Sequence, residues 1–158
     1  MDYPIRKQIR IPHYDYGQNG AYFVTICTHN RAHLFGEINN PSLASQMIDQ
    51  TFQKTIGQHS GVSCPKYVIM PDHFHAIIMI DHSAGPNPPT LAQIIQDFKR
   101  YSTLEYIKLV NKGLLPRFEK HIWQRSYYDH VIRNQQDFDE IWQYIENNPV
   151  KWKLDKDS

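Results

Sequence analysis

The sequence predicts an α+β domain built on a four-stranded antiparallel sheet, and three observations carry that prediction. Short β-branched and aromatic runs lie at 21–28, 64–70, 74–80 and 127–132. Two stretches with apolar residues at helical spacing fall between them, in the order strand, helix, strand, strand, helix, strand. A third helical pattern closes the chain. At 158 residues the protein has the size of one compact domain, 1–158, with a single core.

Each element has a local cause. Gly17, Asn19 and Gly20 form a turn ahead of the run Ala21 to Thr28, the first strand. Pro41 and Ser42 then precede Leu43, Met47, Ile48, Phe52 and Ile56, which share one helical stripe. After a break at Gly57 to Ser63, the runs Cys64 to Met70 and Phe74 to Ile80 read as a hairpin joined through Pro71-Asp72. The segment His82 to Thr90 contains three prolines and one glycine, so it cannot continue a strand and reads as a mobile connector. Thr90 caps a helix carrying Leu91, Ile94, Ile95, Phe98 and Leu109, which ends near Asn111-Lys112-Gly113. An extended stretch from Tyr127 to Ile132 precedes a helix from about Gln135 to Asn147, with Phe138, Ile141, Trp142 and Ile145 on one stripe. Pro149 is expected to stop it. This order is the split βαβ arrangement of a ferredoxin-like βαββαβ domain, an antiparallel sheet with helices on one face, plus a C-terminal helix.

Composition narrows the function classes. A formal net charge of +1 gives no global pull toward nucleic acid and argues against a clamp on long duplex DNA. Local basic groups remain: Arg6, Lys7 and Arg10 in an N-terminal arm, then Lys99, Arg100, Arg117, Lys120, Arg125 and Arg133, any one of which reads first as solvated surface charge. No apolar run approaches bilayer length and MDYPIRKQIR lacks the hydrophobic region of a secretory signal, so a cytoplasmic location is expected. Cys27 and Cys64 are far apart and read as small buried residues rather than a disulfide, which suits a reducing compartment.

The block YVIMPDHFHAIIMI holds the most informative pattern, His73-Phe74-His75 inside an apolar strand. Residues two apart on a strand point to the same side, so the two imidazoles project together as a two-point chelate while Phe74 faces the other way. With nine histidines in the chain, such a pair also arises by chance. On the last helix, Tyr144 and Asn148 are four apart and share a face. By themselves they read as an amphipathic tyrosine and a residue near the helix C-terminus.

Six blocks, YDYGQNGAYFVTICT, HLFGEI, YVIMPDHFHAIIMI, FKRYS, WQRSYYDHVIRN and YIENNPVKW, resemble in order and spacing the single-tyrosine HUH transposases, and most closely the bacterial REP-associated tyrosine transposases. The resemblance implies a ferredoxin-like HUH fold with the nucleophilic tyrosine on the C-terminal helix. It makes Tyr144 the nucleophile, His73 and His75 metal ligands, and Asn148 a third polar ligand where relatives often carry glutamine. Asp72 stands where relatives tend to show asparagine, and the bend at Pro71 could let it approach the metal or orient a histidine. The implied cofactor is Mg2+ or Mn2+, although imidazoles as such suit zinc, iron or nickel. The implied partner is single-stranded DNA with hairpin or palindromic repeat structure, and related enzymes can assemble the site across a homodimer.

The activity this implies is cleavage and rejoining of single-stranded DNA through a 5′-phosphotyrosine. Arg6, Arg10, Lys99, Arg100, Arg125 and Arg133 are the expected phosphate contacts. Tyr127 and Tyr128 are rival nucleophiles, and His121 and His130 rival ligands. Trp123 and Trp152 are expected to pack. Two other readings compete: a non-catalytic module that binds single-stranded nucleic acid on an open sheet face, and a metal-dependent hydrolase that uses water.

Overall fold

The computed structural model describes residues 14–16, 18–37, 40 and 42–157. Its elements are β1 (Gly20–Cys27), α1 (Leu43–Gly57), β2 (Val62–Ile69), β3 (His73–Ile80), α2 (Leu91–Asn111), β4 (Tyr128–Val131) and α3 (Gln135–Asp157), in the predicted order. The strands form one antiparallel sheet in the order β2-β3-β1-β4, which places β1 and β3 at its centre.

Alternation along the strands divides the apolar side chains between two faces. Val24, Ile26, Phe74, Ala76 and Ile78 pack with Ile48 and Phe52 of α1 and Ile94, Ile95 and Phe98 of α2. Ala21, Ile77 and Met79 turn the other way and pack with Phe138, Trp142 and Ile145 of α3. The C-terminal helix therefore lies on the sheet face opposite α1 and α2. An ion pair between Lys66 of β2 and Glu146 of α3 fastens it there. As a result all eight residues of β3 are buried.

The helix starts follow the capping chemistry. Ser42 Oγ accepts from Ser45 N at 3.0 Å and donates to Phe35 O at 2.8 Å, while Thr90 and Gln93 form a reciprocal capping box at the start of α2. Thr90 N donates to Gln93 Oε1 at 2.9 Å and Gln93 N to Thr90 Oγ1 at 3.1 Å.

One expectation fails. The C-terminal helix does not stop at Pro149; it runs through it to Asp157. Proline's fixed φ is helical, so what is lost is one backbone hydrogen bond and some steric ease, about 3 kcal/mol in a helix interior. Packing beyond the proline offsets that loss. Trp152 lies 6.0 Å from the His73 ring and 5.6 Å from the His33 ring, centroid to centroid.

Phe74, between the two histidines, is fully buried against Phe52 at 4.6 Å and Phe98 at 5.5 Å. Phe74→Ala is expected to lower stability by about 3–5 kcal/mol. Urea unfolding of the variant checks this; a midpoint within error of wild type would remove Phe74 from the core.

Candidate active site

The two histidines of β3 occupy the end of the sheet where β1 stops and the hairpin turn begins. Their rings lie 4.6 Å apart, centroid to centroid, and both are nearly inaccessible to solvent. Each Nδ1 has its own partner. His75 is directly opposite Thr25 in the β1–β3 register, and its Nδ1 shares a hydrogen bond of 2.8 Å with Thr25 Oγ1. His73 Nδ1 donates to Asp72 Oδ1 at 2.6 Å.

Asp72 is held in place from three directions. Its carbonyl accepts Thr28 N at 3.0 Å and Thr28 Oγ1 at 3.0 Å, which pins the turn. Its second carboxylate oxygen accepts Arg31 Nε at 3.0 Å, with His33 Nε2 4.0 Å away. Burial pushes the carboxyl toward a higher pKa, but the hydrogen bonds from Arg31 and His73 outweigh it, so the group sits below its ordinary range and is ionised. Burial, with the nearby His73 and Arg31, pushes the His75 imidazole down to about 3, so it is neutral at physiological pH. In the tautomer whose Nδ1 donates to Thr25 Oγ1, the neutral imidazole presents its Nε2 lone pair to a ligand.

Tyr144 completes the arrangement from α3 of the same chain. Its ring is 5.5 Å from His75 and 5.8 Å from Phe23, and it is 47% exposed. A cavity of about 410 Å3 is lined by both histidines together with Tyr144, Asn148, Arg31 and Lys151. Thr25, Cys27, Tyr128 and Trp152 complete its wall. The Cys27 thiol is pushed up by burial, and Arg31 Nη1 lies 3.6 Å from its sulfur.

The donor set suits a divalent cation. Two imidazoles with fixed outer nitrogens and one buried side-chain amide, Asn148, share this cavity, leaving room for oxygen ligands from water or phosphate. Among the described residues no group of three His, Cys, Asp or Glu side chains is placed to hold a metal ion by itself.

Of the rival candidates Tyr128 shares the wall of this cavity, and the others lie elsewhere. His130 Nε2 pairs with Asp137 at 2.9 Å, and His121 stacks edge-on to His29 at 5.5 Å. Tyr127 lies outside the cavity, while Tyr128 is 71% exposed at its rim. Trp123 is a packing residue as expected, buried and donating to Ser102 Oγ at 2.8 Å. Of the expected DNA contacts, Arg6 and Arg10 lie outside the described residues. Arg100 and Arg125 line a second, larger groove, and Arg133 is exposed between β4 and α3.

Lys99 has a different role. Its ammonium donates to the carbonyls of Gln124, Arg125 and Ser126 at 2.9, 3.2 and 3.2 Å, and burial lowers its pKa. It works as a strut between α2 and the segment before β4, with its donors already used. The spacing of charges in the sequence carries no sign of that role.

Several lining residues have no sequence motif to announce them. Arg31 reaches Asp72 because the turn His29–Arg31 has two consecutive left-handed residues, Asn30 at φ 56° and Arg31 at φ 53°. Lys151 and Trp152 become legible only if the helix is continued past Pro149, when they fall seven and eight residues after Tyr144 on its face.

The family profile for "Transposase IS200 like" proteins matches residues 18–148. The chain belongs to the IS200-like transposase family. It is 31% identical over 165 residues to an uncharacterized Haemophilus influenzae protein, spanning 96% of this chain and 92% of that one. A second Haemophilus influenzae relative, described provisionally as a REP-associated tyrosine transposase, is 27% identical over 139 residues, 87% of this chain and 74% of its own. Among solved structures, a REP-associated tyrosine transposase bound to a REP hairpin superposes with a TM-score of 0.61 at 22% identity, covering 96% of this chain and 73% of that one. A Deinococcus radiodurans R1 protein described provisionally as a transposase gives 0.57 at 17% identity, covering 87% and 95%. Both are likenesses of fold.

Lys99→Met is expected to lower stability by about 1–2 kcal/mol, because three carbonyls lose a charged donor. Thermal unfolding measures it; an unchanged melting temperature would mean the strut carries no load.

Proposed function

We propose that this protein cuts and rejoins single-stranded DNA at the cavity between β3 and α3, using Tyr144 as the nucleophile. The observation that carries the reading is the convergence of three groups in one cavity: two imidazoles with engaged outer nitrogens and a half-exposed phenol 5.5 Å from one of them. The family membership and the hairpin-bound structural relative support DNA as substrate.

In the proposed step the Tyr144 oxygen forms a bond to a backbone phosphorus as the bond from phosphorus to the 3′ oxygen breaks. The phenol proton passes to that oxygen, leaving a 3′-hydroxyl and a 5′-phosphotyrosine. Reversal by another 3′-hydroxyl rejoins strands without an energy source, because one phosphoester replaces another. A magnesium or manganese ion held by His73, His75 and Asn148 would polarise the phosphate and stabilise the leaving oxygen. Thr25 and Asp72 fix the two imidazoles in the orientation that ligation needs. Arg31 and Lys151, from the turn after β1 and from α3, put positive charge on the cavity wall for the substrate phosphate. The buried indole N–H of Trp152, without an acceptor among the described residues, is a further donor beside it. An open sheet surface for base stacking, the expectation of a non-catalytic binder, is confined among the described residues to the edge strand β4, while helices cover the central strand β3 on both faces.

Incubation of a hairpin oligonucleotide with the protein and Mn2+ is expected to give a covalent adduct on Tyr144 detectable by peptide mass spectrometry. Tyr144→Phe should reduce it about a thousandfold or more. An adduct that persists in the variant removes Tyr144 from the nucleophile's role.

Thr25→Val keeps the shape of the strand but frees His75 Nδ1. It is expected to weaken Mn2+ binding by the DNA-free protein about 10–100-fold, read by titration calorimetry. Equal affinity in the variant would show that Thr25 does not orient a ligand.

A further inference from the structure

A second groove is larger than the histidine cavity. It has a volume of about 770 Å3 and lies between α2 and the segment preceding β4. Its polar wall carries His29, Arg100, Lys120, His121 and Arg125, with Lys99 behind, and no carboxylate among the described residues lines it. Four of the chain's 17 lysines and arginines meet here although the net charge is only +1, so the positive field is local. Arg100 has one acidic neighbour at the edge, Asp97 at 3.6 Å.

Its apolar side is open to solvent. Leu104 and Ile107 of α2 are 52% and 38% exposed, beside the half-buried Phe118. The opposite wall is fixed rather than loose. Gln124 N donates to Cys27 O at 2.9 Å, His29 N to Ile122 O at 2.8 Å, and the Lys99 ammonium holds three carbonyls of the same segment.

The groove adjoins the active-site cavity through one short turn. His29 faces the groove, where its ring meets His121 at 5.5 Å, while Arg31, two residues on, lines the cavity. Lys120 on the groove rim has a left-handed backbone, φ 62°, as do Asn30 and Arg31. Non-glycine residues held in that region collect at functional surfaces.

We propose that this groove holds the single-stranded DNA that continues from the phosphodiester at Tyr144, with phosphates on Arg100, Lys120 and Arg125 and bases against Leu104 and Ile107. The inference rests on the DNA-cleaving reading of the cavity. Cations along one wall and exposed apolar side chains along the other match an unpaired strand, which offers both phosphates and free base faces. A duplex offers its phosphates but keeps its bases stacked inside.

The test uses fluorescence anisotropy with two probes: a hairpin oligonucleotide with a thymidine tail, on its 5′ or its 3′ side, and the same hairpin without a tail. The wild type should bind one tailed hairpin about tenfold more tightly than the blunt one. Lys120→Glu/Arg125→Glu should erase that advantage, lower the salt slope for the tailed probe by about 1.4, and leave the blunt hairpin within about twofold. Leu104→Ser should reduce tailed binding with an unchanged salt slope. Arg125→Glu alone serves as the milder variant if the double variant unfolds. Equal losses on both probes, no loss on either, or no advantage of any tail in the wild type each overturn the proposal. A shift from dimer to monomer in Leu104→Ser, without any change in tailed binding, overturns it in favour of a protein interface. Tyr144→Phe should bind the tailed hairpin as the wild type does, so failure of the phosphotyrosine reading and failure of the groove are read separately.

Discussion

Two imidazoles buried side by side on the central strand set the conditions for everything around them. A buried polar nitrogen without a partner is costly, and β3 is covered on both faces, so water cannot supply the missing bonds. His75 is served by the cross-strand Thr25, which requires the register that sets Thr25 against His75. A slip of one residue would turn Thr25 to the α1–α2 core and leave the nitrogen unpaired. His73 is served by Asp72, but that adds a buried carboxylate needing its own compensation, which Arg31 supplies. Arg31 in turn depends on a left-handed turn tied to the segment before β4. Each requirement recruits the next, from strand register to hairpin to turn.

The second constraint is the path of α3. A helix on the open sheet face brings Tyr144 within reach of His75, and the same helix brings Asn148, Lys151 and Trp152 into the cavity wall. These fall at Tyr144 plus four, seven and eight, the spacing of one helical face. Had the helix ended at Pro149, the cavity would lose the Lys151 ammonium and the indole beside His73. Tertiary packing prevails here over a strong local signal, because the proline removes one hydrogen bond whereas the docked helix retains contacts on both sides of it.

What the sequence disclosed divides along the same line. The element order was legible because period-two and period-3.6 apolar patterns reflect local geometry, and Ser42 and Thr90 marked the helix starts. The pairing of His73 with His75 was legible from a spacing of two. The placement of α3 against the second sheet face was not, since an amphipathic helix states that it packs and not on what. Arg31 was illegible because nothing in THNRAH marks two successive left-handed residues. The role of Lys99 was illegible for another reason: its partners are carbonyls some 25 residues away, and carbonyls have no sequence signature.

The turn His29–Arg31 shows how backbone strain and chemistry are connected at the strand ends. Adjacent residues in the left-handed region cost about 1–3 kcal/mol each, and such a conformation persists only where neighbouring bonds over-determine it. Here those bonds lie on both sides: His29 N to Ile122 O toward the basic groove, Arg31 Nε to Asp72 toward the histidines. Thr28 N, just before the turn, is fixed to Asp72 O. Movement of the turn would therefore disturb the cavity and the groove together, because Asp72 orients His73 and His29 packs on His121. Two surfaces on opposite sides of three residues thus share one bonded turn.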